Sequence, residues 1–290
     1  MGWPAVVTSR EDRIVNGGVN IALILVAVVS VFPLMFVVSA SLTPYSEILR
    51  NGGYVVIPRE FTFDAYRSLF AEPAIPRALG VTAFITIVGT ALNMVLTMLL
   101  AYPLSIRNLP GRGFILFAVL FTMLFNAGMI PTFLVVQATG LVDSIWSLII
   151  PNAVWVFNLL VMKTFFERLP QELFESARID GAGEFRILVR IVLPLSVPVL
   201  LTLTLFYGVG HWNEFMQAIL YIRDDSLYPL QVVIHNLLAR AQSSQNLEAA
   251  VPTVTLQMAA IVVAAAPMIA VYPFIQKHFQ KGVTLGSVKG

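Results

Sequence analysis

Six stretches of this chain are free of charge over lengths that cross a lipid bilayer. Arg13 and Glu47 enclose 33 uncharged residues, Arg77 and Arg107 enclose 29, and Arg112 and Asp143 enclose 30. Asp143 to Lys163 leaves 19, Arg190 to Glu214 leaves 23, and Glu248 to Lys277 leaves 28. A helix needs about 20 apolar residues to cross ~30 Å of hydrocarbon, so every one of these windows accommodates a span. The next longest, Ser226–Ala239, has 14 residues and reads as an amphipathic or interfacial helix. Only 12% of the 290 residues are charged, about half the share found in soluble domains, which makes this an integral membrane protein. A membrane β-barrel would show alternating segments of about ten residues instead of long continuous runs.

The expected fold is therefore all-α, with six transmembrane helices at about 19–42, 76–105, 113–137, 144–164, 190–214 and 250–276. Together they make a membrane domain over 19–278, flanked by tails at 1–18 and 279–290 and carrying a loop at 168–190. Val38-Ser39-Ala40 has the small residues of a signal-peptidase site. The apolar stretch before it, from about Val19, is longer than the roughly 7–15 residues of a signal core, so the first span is expected to stay uncleaved. Six spans put both termini on one side. That side collects twelve Lys and Arg against six on the other, and basic loops stay cytoplasmic. Both termini and the 168–190 loop are accordingly expected in the cytoplasm.

Other chemistries find little support. The chain has no cysteine, and its three histidines are far apart in sequence, so neither a disulfide nor a metal site is expected. Its basic residues follow topology and do not cluster with aromatic, groove-reading elements, so no nucleic-acid binding is expected. No G-x-x-x-x-G-K-S/T phosphate loop occurs, so the chain has no nucleotide site of the usual kind.

The segment Pro170–Pro194, PQELFESARIDGAGEFRILVRIVLP, is the longest charge-dense stretch, and it lies between two apolar runs. Pro170 stands where a helix start costs no hydrogen bond, and Glu172 and Glu175 sit near the positive end of the helix dipole. Leu173, Ala177 and Asp180 follow at i, i+4, i+7 spacing. Gly181 supplies a left-handed C-terminal cap and Gly183 the reversal. A second helix is expected from Glu184 into the fifth span, kinked at Pro194.

The spacing Glu175-Ser176-Ala177, three residues, Gly181, nine residues, Ile191-Val192-Leu193-Pro194 resembles the E-A-A-x3-G-x9-I-x-L-P loop of binding-protein-dependent ABC importer permeases. Ser176 is the one departure in seven motif positions. Trp212-Asn213-Glu214-Phe215 resembles the W-N-D/E-F/Y signature of the carbohydrate-uptake members. The ending Gly282–Gly290 looks like the C-terminal tail of the smaller permease subunit of maltose importers. With Asn126–Pro131 (NAGMIP) and Tyr54–Pro58 (YVVIP), the likeness is strongest to the branch holding the lipoprotein-type sugar permeases and permeases for alginate and other polysaccharide-derived oligosaccharides.

The resemblance implies a type I ABC importer permease fold and a bacterial inner-membrane location. It implies that the loop helix sits in a groove of a cytoplasmic ATPase subunit and transmits closure of the ATPase dimer. Glu175, Ser176, Ala177 and Gly181 then form the coupling element, Glu172, Arg178 and Asp180 its rim, and Ile191 and Pro194 the motif's end. Thr284, Gly286 and Lys289 are tail contacts to the ATPases. It further implies a second, different permease, two ATPase subunits carrying ATP and Mg, an extracytoplasmic solute-binding protein and an oligosaccharide substrate. The chain itself is then not an enzyme and binds no cofactor.

Polar groups inside spans are costly and often mark a solute route, and sugars favour aromatic faces with directional hydrogen bonds. Asn126, Asn152, Trp155, Asn158, Tyr207, His211, Trp212 and Asn213 are the pathway candidates, with interhelical hydrogen bonding as the competing reading for each. Tyr221, Asp224, Asp225 and Tyr228, in the second long outer segment, are candidate contacts for the binding protein. Two other classes stay open at this point. A stand-alone secondary transporter would show internal repeats and intramembrane ionisable residues. A membrane enzyme acting on lipid-linked sugars would need a carboxylate or His constellation at the interface.

Overall fold

The computed structural model describes residues 10–243 and 254–286, whose regular elements are all helical, with no strand among them. In chain order the helices are α1 (Arg10–Ser41), α2 (Tyr45–Arg50), α3 (Asp64–Ala71), α4 (Ala74–Ser105), α5 (Arg112–Leu124) and α6 (Met129–Ala138). Then follow α7 (Val156–Glu167), α8 (Gln171–Ile179), α9 (Glu184–Ile187), α10 (Leu193–Leu195) and α11 (Val197–Trp212). The last are α12 (Met216–Tyr221), α13 (Leu230–Ser243) and α14 (Val254–Gly286).

Among the described residues three helices are long and apolar enough to cross a membrane, within Val15–Ser41, Ala74–Ser105 and Val254–Val271. Two bent pairs raise the number to five: α5 with α6, at 117°, and Glu184–Leu195 with α11, at 85°. The expected third span is thus two helices. The break falls at Phe125–Gly128, where Gly128 takes φ 85° and its N–H donates to Asn126 Oδ1 at 2.8 Å. Pro131 is harmless in the first turn of α6, where its missing N–H has no intrahelical partner. The 144–164 window is only partly helical. A 3-10 turn covers Ile145–Leu148, and α-helix begins at Val156.

The expected kink at Pro194 is distributed over two sites. A π turn at Leu188–Val192 widens the helix where the Pro194 ring would meet the carbonyl of Arg190. The sharp bend itself falls at Ser196 (φ −100°, ψ 7°), ahead of Pro198, which again withdraws a donor.

Two compact units make up the chain. The first comprises 10–71 with 237–243 and 254–263. Ala40, Ile48 and Val55 are buried in it against Phe36 and Met258. The Ser41 and Tyr66 hydroxyls share a 2.7 Å hydrogen bond, and Glu47 accepts the N–H groups of Arg59 and Glu60 at 3.1 and 3.3 Å. Most of α1 stands clear of this core, its large apolar residues 48–69% exposed from Val15 to Met35. A helix apolar on every face and open on every face is one made for lipid.

The second unit comprises 72–236 with 264–286, and α4 is its spine. Met94, Ala101, Tyr102 and Leu104 on α4, Leu159, Met162 and Phe166 on α7, and Val199, Leu203 and Tyr207 on α11 share one buried cluster. Ile85, Val136, Leu148, Ile149, Tyr221 and Val232 belong to another.

Candidate functional site

The hairpin α8–α9 is built by local chemistry. Pro170 (φ −59°, ψ 124°) precedes α8, and Glu172 lies in its first turn. At its C-terminus the Ala182 N–H donates to Ala177 O at 2.9 Å and the Gly181 N–H to Arg178 O at 3.0 Å. These are the paired 6→1 and 5→2 bonds of a Schellman cap, with Gly181 left-handed at φ 78°. Gly183, by contrast, has φ −72° and ψ 157°, backbone any residue adopts. Gly181 alone needs to be glycine for conformation.

One side of α8 is seated. Phe174 is buried and Ala177 half-buried in the cluster that holds Tyr102 of α4, Phe166 of α7 and Ile187 of the return arm. Of Leu173, Ala177 and Asp180, spaced i, i+4, i+7, only Ala177 reaches that cluster. Leu173 is 42% exposed, Ile179 86% and Phe185 73%. Glu172, Glu175, Ser176, Arg178, Asp180 and Gly181 are exposed as well, whereas Ile191 is half-buried and Pro194 exposed. The hairpin thus offers acids, the bases Arg178 and Arg186, and bare Ile179 and Phe185.

Glu184 ties this tip down. Arg178 grips it twice, Nε to Oε1 at 2.8 Å and Nη2 to Oε2 at 3.3 Å, and the Tyr102 hydroxyl donates to Oε2. Nearby, Glu167 pairs with Arg112 and, at 2.9 Å, with Lys163, while Arg112 Nε donates to Leu104 O at 2.8 Å. The Tyr102–Glu184 bond was not legible from the hairpin's own sequence, since the two residues are 82 positions apart.

Within the spans, α4, α7 and α11 enclose a polar cluster. Asn93 Nδ2 donates to Asn152 O and meets His211 Nε2, both at 3.2 Å. The Tyr207 hydroxyl pairs with Thr97 Oγ1 at 2.7 Å and accepts the Trp155 N–H at 3.1 Å. The Trp155 and Tyr207 rings lie 4.9 Å apart. Among the described residues neither amide atom of Asn158 has a partner, although the side chain is buried. The structure therefore brings together Trp155, Tyr207, His211 and the backbone of Asn152, with Asn93 and Thr97. Tyr207 and His211 meet α4 directly, the geometry of interhelical hydrogen bonding.

The other pathway candidates lie apart. Asn126 Oδ1 accepts the Gly128 N–H in the turn ahead of α6, Asn213 Nδ2 returns to Val209 O at 2.8 Å, and Trp212 Nε1 donates to Ala264 O at 2.8 Å. In the outer segment, Tyr221 is buried and stacked on Phe133, which leaves it no surface for a partner. Asp224 and Asp225 are exposed and Tyr228 half-buried. Asp143, at φ 62°, accepts the N–H groups of Arg223 and Asp224 at 2.9 and 2.8 Å. Those two bonds lower its pKa. Thr284 and Gly286 end α14, and Lys289 lies outside the described residues. No group of three or more potential metal ligands occurs among the described residues.

Known proteins share this arrangement. A crystal structure of a bacterial ABC transporter involved in the import of the acidic polysaccharide alginate contains a chain that superposes with a TM-score of 0.88 at 31% identity, covering 95% of this chain and 100% of that one. The polygalacturonan/rhamnogalacturonan transport system permease protein YtcP of Bacillus subtilis strain 168 is 46% identical, over 92% of this chain and 96% of its own. Protein LplC of the same organism is 44% identical over 91% of both. Residues 20–285 match the family model for inner membrane components of binding-protein-dependent transport systems, and the chain belongs to that family.

Proposed function

We propose that this chain is one permease subunit of an ATP-driven importer of oligosaccharides, embedded by six crossings with both termini in the cytoplasm. The observation that carries the reading is the α8 hairpin: a Schellman-capped helix seated by Phe174 and presenting Glu175, Ser176, Arg178 and Ile179 outward. Such a tip fits a groove in a cytoplasmic ATPase subunit, its acids and base on the rim and Ile179 inside. Two ATPase subunits supply ATP and Mg, a second and different permease completes the pathway, and a solute-binding protein delivers the sugar at the outer face. Thr284, Gly286 and Lys289 are proposed tail contacts to the ATPases.

The oligosaccharide assignment draws on the relatives, whose names point to polygalacturonan, rhamnogalacturonan and alginate. Fragments of acidic polysaccharides are the substrate class we favour. The pathway candidates here are neutral hydrogen-bonding and aromatic groups, suited to sugar hydroxyls and ring faces. Trp155, Asn158 and Asn152 are the residues of that set best placed to meet a sugar once the helices part, and a counter-charge for carboxylates would come from the partner permease.

The test is Glu175→Lys, an exposed position where a charge reversal leaves the fold intact. The variant should insert normally but fail to co-purify with the ATPase subunits, with uptake lost. Wild-type ATPase association and uptake would sink the docking role. Reconstituted uptake across a panel of neutral and acidic oligosaccharides checks the substrate class, and a response to neutral sugars alone would overturn the acidic assignment.

A further inference from the structure

We propose that Glu184 is a positioning residue that clamps the docking helix α8 to the continuous span α4, making α4 the direct recipient of motion at α8. The inference rests on the reading of α8 as the ATPase-docking element. Three elements converge on one carboxylate: Arg178 from α8 binds both oxygens, Tyr102 from the end of α4 donates to Oε2, and Glu184 itself opens α9.

The geometry of the alternative route explains why such a clamp matters. Along the chain, α8 connects to α11 through the Gly181–Gly183 turn, the π turn at Leu188–Val192 and the 85° bend at Ser196. Three irregular sites in series interrupt the regular helix along that route. The route through Glu184 meets none of these, only Pro103 in the last turn of α4. It passes from α8 by a two-pronged, charge-assisted contact to Tyr102, and α4 then runs unbroken from Ala74 to Ser105. Beneath the polar contact, buried Phe174 and Ile187 pack in the same cluster as Tyr102, so compression at the tip is carried by close-packed atoms. Farther along, α4 holds Thr97 and Asn93, whose bonds to Tyr207 and His211 pass the displacement to α11. The membrane half of α11 is thereby reached through α4 as well as through its own bent leader.

The position lies outside the seven motif residues, and its partner Tyr102 is 82 residues away. A helper of loop stability and a transmitter of motion are separated by where an ATP-driven change appears. The experiment is hydrogen–deuterium exchange on the assembled complex, with and without ATP and vanadate, for wild type, Glu184→Gln, Tyr102→Phe and the double variant. In wild type, trapping should change exchange both in 171–179 and in 98–105. In each single variant the change in 171–179 should persist while that in 98–105 shrinks about fivefold or more, and the double variant should lose no more than either single one. An undiminished change in 98–105, additive losses, or a wild-type response confined to 171–179 would each overturn the clamp. No change in 171–179 on ATPase assembly in wild type would instead overturn the docking reading on which the clamp rests.

Discussion

At Gly89 and Gly210 the helices of the second unit come too close for a side chain. A Cβ on Gly210 would lie 2.2 Å from the Trp155 ring, and one on Gly89 2.6 Å from His211 Nε2. Neither glycine has an unusual φ, so the requirement is steric. Overpacking a fitted interface costs about 1–3 kcal/mol, whereas Gly to Ala in an open helical position gains up to ~1 kcal/mol. Gly210→Ala should therefore lower the melting temperature of the detergent-solubilised complex. Gly80→Ala, with nothing within 4 Å of its Cβ, should hold or raise it, and equal shifts for the two would refute the steric account. These close approaches are invisible in the chain's local sequence. Asn93 and His211 are separated by 118 residues, Thr97 and Tyr207 by 110, and only the helix packing shows that they meet. Trp155 was legible as an aromatic group in an apolar run, but its partner Tyr207 was not.

Among the elements, α8 was the most legible because its determinants are local. A proline before it, acids in the first turn and a glycine in the left-handed cap all act within one or two turns. Breaks in spans were less legible. Charge-free windows report composition, and composition does not register a backbone reversal such as the one at Phe125–Gly128. The connection between α6 and the Ile145–Leu148 turn is another such case, held by Asp143 in a left-handed conformation that Asp tolerates. Its carboxylate binds two N–H groups of the Arg223–Asp224 stretch, and its pKa is lowered as a result. A carboxyl whose folded pKa is depressed stabilises the fold above its unfolded value, about 3.9, and that contribution is lost as pH falls through the folded value. Asp143→Asn keeps the conformation but weakens the acceptor. The melting-temperature gap between wild type and Asp143→Asn should thus be full at neutral pH and close in acid. A gap that does not change with pH would assign the effect to backbone strain alone. Asp143→Ala should also speed tryptic cleavage after Arg223, whose scissile bond carries the Asp224 N–H that Asp143 holds.

For the whole molecule the parity of crossings decides the topology. Three long apolar helices and two bent pairs give five, and five would put the termini on opposite sides. The sixth crossing rests on the 144–164 window, where α7 has only 12 residues, about 18 Å of helix. The missing length comes from the Ile145–Leu148 turn and the irregular stretch before Val156. Irregular backbone is tolerated at membrane depth when protein surrounds it. Here Leu148 and Ile149 are fully buried, the Ile149 and Ile150 N–H groups both return to Trp146 O, and Asn93 reaches Asn152 O from α4. The segment therefore has the internal hydrogen bonding that a crossing requires. Charge is indifferent to this parity, since the eighteen Lys and Arg divide twelve to six with or without the 144–164 crossing. Reporters fused before Met1 and after Gly290 should both be active in a cytoplasmic assay and silent in an external one. One reporter on each face would mean that 144–164 enters and leaves by the same side, and would separate the α8 hairpin from one terminus. Both on the outer face would reverse the map and place α8 beyond the reach of any cytoplasmic ATPase.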